Sequence, residues 1–170
     1  MLLIKLACAG SVIACFSFVG MEFARQLNKQ LVQIKLMQSA VSQIESSIRF
    51  GNRTLRDIFQ KLSLENGETG SFFAYTVQKM NEKLPLKTIW QRYEEEAAKG
   101  TIPKSALAIL SRCGSALESS DLEASINCLK IAERELTALH DEYYSEYRSK
   151  MKTYPAVGLL SGLFISVLFI

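Results

Sequence analysis

The chain has 170 residues, 48% of them hydrophobic, and a formal net charge of +3. The weak charge, with Lys and Arg spread along the chain, counts against nucleic-acid binding; four cysteines without CxxC spacing count against a disulfide framework. Only three prolines and nine glycines interrupt the chain, and no sustained apolar/polar alternation rich in Val, Ile and Thr is present, so an all-α fold is expected.

The first element is an apolar run over residues 1–21, interrupted by Lys5 and two serines. A cleaved signal peptide would need small residues at its end, yet residues 18–23 read FVGMEF. Residues 12–15 (VIAC) have the residue types of a lipoprotein site with Cys15 acylated, but the apolar run continues through residues 16–19 where a polar tether belongs. An uncleaved transmembrane helix is the favoured reading. Gly10 and Ala14, four residues apart, give it one small-residue face.

Helical periodicity starts at once. Phe23, Leu27, Leu31, Ile34, Val41, Ile44 and Ile48 recur at threes, fours and sevens, predicting a long helix to about Phe50 that stops at the Gly51-Asn52 turn. Outside the membrane it would reach on the order of 40 Å at about 1.5 Å per residue. Thr54 suits the cap of a short second helix with Leu55, Ile58, Phe59 and Leu62 on its inner face. Residues 66–70 (NGETG) read as a loop, followed by a third helix from Ser71 to the Pro85 break. A fourth carries Ile89, Trp90 and Tyr93, the aromatic pair expected to pack on the long helices. Pro103 suits the first turn of a fifth, with Leu107, Ile109 and Leu110 inward.

Ser120 with Glu123 has capping-box spacing and opens the last and longest helix. Its stripe is Leu122, Ile126, Leu129, Ala132, Leu136, Leu139, Tyr143, Tyr147 and Met151. Pro155 falls where this helix meets residues 154–170, an uncharged apolar run long enough to cross most of a bilayer core. Gly158 and Gly162 give that run its own small-residue face, so the two spans are expected to pack on each other or on a partner's helix. Arg25, Lys29 and Lys35 after the first run, with Arg148, Lys150 and Lys152 before the second, place the intervening domain in the cytoplasm by the positive-inside bias. The expected architecture is thus a transmembrane helix (1–21), a cytoplasmic helical domain (22–153) and a second transmembrane helix (154–170). About six helices are expected, the two long ones antiparallel and capped by the four short ones.

Catalytic and cofactor constellations are missing from the sequence. His140 is the single histidine, with no Cys or second His placed for a metal site and no nucleophile arrangement around Asp141. There is no GxxxxGK[ST] and no HExxH, so no catalytic, cofactor or metal residue is assigned. Two charged groups are candidate partner surfaces. Arg49, Arg53 and Arg56 surround the Gly51 turn, the preferred docking site. Glu94, Glu95 and Glu96 read as a solvated helix face near the membrane-distal end.

Residues 48–55 (IRFGNRTL), residues 110–117 (LSRCGSAL) with Asp121 beyond them, and residues 158–164 (GLLSGLF) resemble the stage III sporulation protein AB family of endospore-forming bacteria. The order of long and short helices between apolar ends resembles it too, over essentially the whole chain. That family is similar in its helical domain to the inner-membrane platform protein of type II secretion and type IV pilus machines. The resemblance implies a non-enzymatic platform, coupling a cytoplasmic secretion-type ATPase to membrane partners of a channel between mother cell and forespore. It implies residence in the mother-cell membrane around the forespore, and leaves a homo-oligomer open.

Overall fold

A computed structural model describes residues 2–51, 54–65, 67–96 and 100–168, with side chains described at 22, 25–51, 54–65, 67–96, 100–151 and 153. Every regular element among them is helical: α1 (Leu2–Arg49), α2 (Leu55–Leu62), α3 (Glu68–Met80), α4 (Leu86–Glu96), α5 (Lys104–Leu117) and α6 (Leu122–Leu168). Among the described residues no helix is long and apolar enough to cross a membrane. The runs expected to do so, with Gly10, Ala14, Gly158 and Gly162, lie outside the residues whose side chains are described.

The chain divides into two compact units. One comprises Met1–Lys29 and Glu142–Ile170. In it Glu22 pairs with Arg25 at 3.7 Å, Glu146 pairs with Lys150, and Tyr143 and Tyr147 are half-buried. The other, Gln30–Asp141, holds the main core and the four short helices.

In the larger unit the periodic residues of α1 do face inward: Leu31, Ile34, Val41 and Ile44 are buried, joined by Met37 and Ala40. The α6 stripe is buried only at Leu129, Ala132 and Leu136. Leu122, expected inside, is the first residue of its helix and is 51% exposed. Between the two long helices Gln38 donates from Nε2 to Thr137 Oγ1 at 3.1 Å.

The short helices meet in an aromatic knot. Phe59 of α2 stacks on Phe73 of α3 with centroids 5.7 Å apart, and both Phe59 (6.0 Å) and Phe72 (5.9 Å) contact Trp90 of α4. The buried indole N–H donates to Thr76 Oγ1 at 3.1 Å, and that hydroxyl donates to the Phe72 carbonyl at 2.9 Å. Tyr93 sits edge-on to Phe72 and Tyr75, at 5.0 and 5.2 Å. Trp90 thus meets the aromatic rings of α2 and α3, and Tyr93 those of α3, within the same core cluster as the inner faces of α1 and α6. Aromatic pairs of this kind add about 0.5–1.5 kcal/mol each beyond the area they bury.

Helix ends are fixed partly by neighbours in sequence and partly by distant side chains. Thr54 and Asp57 form the local capping box of α2, Thr54 Oγ1 accepting from the Asp57 amide at 3.2 Å and Asp57 Oδ2 accepting from the Thr54 amide at 3.2 Å. At α6 the cap is Asp121, whose Oδ1 accepts from the Ala124 amide at 3.0 Å, one residue later than the Ser120 expected. A carboxylate at this position also meets the positive end of the helix dipole, an advantage a serine lacks. At α3 the expected start at Ser71 is wrong by almost a turn, because buried Gln33 of α1 reaches across. Its Oε1 accepts from the Thr69 amide at 3.1 Å and from Thr69 Oγ1 at 2.7 Å. Glu68, read as loop, is helical, and its carboxylate accepts from the amides of Thr101 and Ile102. Glu118 Oε1 likewise accepts from the Leu86 amide at 2.9 Å and caps α4. Pro103 is the residue before α5 and not within its first turn, extended at φ −60° and ψ 138°.

Gly114 lets α5 cross the start of α4. A Cβ there would meet the Lys87 amide nitrogen at 2.7 Å and its Cα at 2.9 Å, backbone that has no room to retreat. Gly114→Ala is accordingly expected to lower the unfolding free energy by about 1–3 kcal/mol in urea denaturation, the usual cost of overpacking. Ser115→Ala, at an exposed neighbour in the same helix, should leave the midpoint in place.

Candidate interaction site

The turn between α1 and α2 is built by a helix stop and a helix start placed back to back. Phe50 N–H donates to the Ser46 carbonyl at 3.1 Å and Gly51 N–H to the Ser47 carbonyl at 3.2 Å, closing the last turn of α1. Gly51 then takes φ +67°, a left-handed conformation that costs an L residue about 1–2 kcal/mol. The space around it is open, so the backbone angle alone demands glycine.

At this helix end Phe50 is 77% exposed. Arg49, next to it, forms an i,i+4 ion pair with Glu45, which holds the guanidinium along the helix. Arg56 is exposed on α2, and Arg53, the third arginine of the expected cluster, lies outside the described residues. Beside the turn a cleft of about 320 Å³ is lined by Arg49, Glu123, Ile126, Asn127 and Lys130, which brings the end of α1 to the start of α6. An exposed aromatic ring, a cation and a shallow mixed-charge cleft make a surface suited to protein contact; aromatic and arginine side chains are the usual anchors of such contacts. Phe50 falls two positions after Ile48, off the i, i+3, i+4 stripe of α1, and that offset is the sequence signal that its ring faces away from the core.

Glu94, Glu95 and Glu96 do not join this surface. The start of α4 is held near the end of α5 by Glu118, while Glu68 binds Thr101 beyond the end of α4 and Gln33 binds Thr69 beside Glu68. Gln33 lies about 24 Å along α1 from Arg49, at about 1.5 Å per residue. The acidic run thus sits at the opposite end of the larger unit from the Gly51 turn, contrary to its expected place at the far tip. Glu95 and Glu96 are exposed and Glu94 is half-buried. Tyr75 lies against this end. Burial, then the Glu96 carboxylate, pushes its phenol above the ordinary tyrosine value. Tyr93 is raised in the same direction by burial and by Glu68.

His140 lies within 3.4 Å of Asp141 Oδ1 through its Nδ1 and is half-buried. Among the described residues no group of three or more His, Cys, Asp or Glu is placed to hold a metal ion.

These features define an all-helical protein in which two long helices carry four short ones and expose an aromatic turn. The stage III sporulation protein AB family profile matches residues 5–170. The chain belongs to that family. It is 22% identical over 169 residues to stage III sporulation protein AB of Bacillus subtilis (strain 168), with 98% of this chain and 99% of that protein covered. A solved structure of a stage III sporulation protein AB shares the fold, with a TM-score of 0.63 at 18% identity, over 71% of this chain and 97% of that one.

The exposed ring and the strained glycine are expected to separate cleanly under mutation. Phe50→Ser should leave the unfolding midpoint unchanged, since the ring is mostly in water. Gly51→Ala should lower stability by about 1–2 kcal/mol in the same urea titration.

Proposed function

We propose that this chain acts by binding, as a membrane-held platform in a sporulation-specific, secretion-like channel between mother cell and forespore. In this reading a cytoplasmic secretion-type ATPase docks on the Gly51 turn and membrane partners contact the apolar ends. The observation that carries it is the exposed Phe50, flanked by Arg49, between the left-handed Gly51 and the Thr54 cap of α2. Residues 1–21 and 154–170 serve as the membrane helices, paired through Gly10 and Ala14 on one and Gly158 and Gly162 on the other. The basic flanks place residues 22–153 on the cytoplasmic side, where a nucleotide-driven partner is available. The names of the relatives describe sporulation and no catalytic activity, in keeping with a binding role.

Two measurements test the reading. From sporulating cells, the wild-type chain should co-purify a P-loop ATPase of the secretion class, and Phe50→Ser with Arg53→Glu should reduce its recovery by about tenfold or more while circular dichroism is unchanged. Equal recovery would remove the Gly51 turn as the docking site. For topology, a cysteine at exposed Glu95, in a chain with its four native cysteines replaced, should resist an impermeant maleimide in intact cells and react after lysis. Labelling in intact cells would put the domain outside and favour a lipid-anchored extracytoplasmic protein acylated at Cys15.

A further inference from the structure

The register of α5 against α6 is set tightly at the turn that joins them. Ser125 Oγ donates to the carbonyls of Ala116 at 2.6 Å and Asp121 at 3.0 Å, and Ser119 Oγ donates to the Ala116 carbonyl at 2.7 Å. Further along, Arg112 of α5 pairs with Glu135 of α6. In that register two free thiols are aimed at each other. The Cys128 thiol donates to Cys113 Sγ at 2.6 Å, and the Cys113 thiol donates to the Cys128 carbonyl at 3.2 Å. Cys113 is buried on α5, next to the Gly114 crossing, and Cys128 is half-buried on α6.

We propose that Cys113 and Cys128 form a dithiol site that closes to an intrachain disulfide by exchange with a low-molecular-weight disulfide. Cys128, the more accessible of the two, attacks as thiolate. Its sulfur bonds to one sulfur of the small disulfide, the S–S bond of that molecule breaks, and one small thiolate leaves. Cys113 then gives up its proton to solvent and attacks Cys128 Sγ, expelling the second small thiolate. The two cysteines lose two electrons and two protons between them; the small disulfide gains both pairs and ends as two thiols. The order follows from surroundings: burial, joined by the hydrogen bond from Cys128, pushes the Cys113 thiol well above its ordinary value. Cys113 is therefore a poor first nucleophile. Its attack succeeds in the second step because the target sulfur is already in contact, which raises the effective concentration.

The closed form would staple α5 to α6 while leaving the α4 crossing at Gly114 in place. In a compartment kept reducing by excess thiol the site stays open, and it closes when small disulfides accumulate.

The full chain carrying Cys8→Ala and Cys15→Ala, in detergent, is incubated with oxidised glutathione, quenched in acid, unfolded and alkylated with a maleimide. Intact mass and peptide mapping should show Cys113 linked to Cys128, neither residue alkylated and no glutathione retained. The thermal midpoint should rise by on the order of ten degrees and fall back with dithiothreitol, as expected for a link closing a short loop. Cys113→Ser should trap glutathione on Cys128. Two alkylated cysteines, or glutathione held on Cys128 beside an alkylated Cys113 in the chain that keeps both thiols, would overturn the proposal. So would a Cys113→Ser chain that takes up no glutathione.

Discussion

The larger unit depends on one buried indole. Trp90 is the place where α2, α3 and α4 meet, touching Phe59 on one side and Phe72 on the other. None of these helices exceeds 13 residues, near the length at which an isolated helix is marginal in water. They persist because each contributes a ring or an aliphatic face to a common interior. A buried indole N–H without an acceptor would cost about 1–3 kcal/mol, and Thr76 removes that cost by accepting its hydrogen bond while its own O–H donates to the Phe72 carbonyl. The hydroxyl thus ties the indole of α4 to the backbone of α3. Gly114 then seats α5 on the same α4, so the position of three helices descends from the fourth.

Around this interior the helix ends are tied by side chains that come from elsewhere. Gln33 fixes the start of α3, Glu68 fixes the segment entering α5, and Glu118 fixes the start of α4. Gln33 and Glu118 supply acceptors to amides that a helix terminus leaves unpaired, and Glu68 does so for the two residues before the α5 cap. Because the donors and acceptors lie far apart in sequence, each cap also fastens two elements together. A short helix that frays at its first turn would release a tertiary contact at the same moment. The caps and the core are therefore coupled.

The elements legible in the sequence are those whose physics is local. The α1 stripe from Leu31 to Ile44 declares itself by period, and Thr54 with Asp57 by spacing. The stop at Gly51 declares itself by residue type. Asp121 displaced Ser120 as a cap because both have the right chemistry and only the chain path selects between them. Gln33 offered no signal: a glutamine in a long helix reads as solvated until another helix end is brought to it. Leu122 looks like a stripe residue, yet it stands at the start of its helix and is half in water. In the Glu94–Glu96 run the charges foretell the exposure of Glu95 and Glu96 but not the half-burial of Glu94, and the place of the run opposite Gly51 depends on the α4–α5 antiparallel pairing. Arg49 and Arg56 are both exposed, as arginine usually is, and the exposure of Phe50 beside them follows from its place at the helix end.

The bond between Gln38 and Thr137 joins residues 99 positions apart. Contacts this non-local slow folding, because the entropy of closing the loop must be spent before the contact returns anything. Here the loop is not slack: the four short helices lie within it, and condensing them on α1 shortens the path that α6 must close. Synthesis from the N-terminus imposes the same order. The inner face of α1 emerges before α6 exists, and Leu55, Ile58, Phe59 and Leu62 are the next core residues to follow it. The inserted helices keep that contact in the finished core, sharing the face of α1 with Leu129, Ala132 and Leu136.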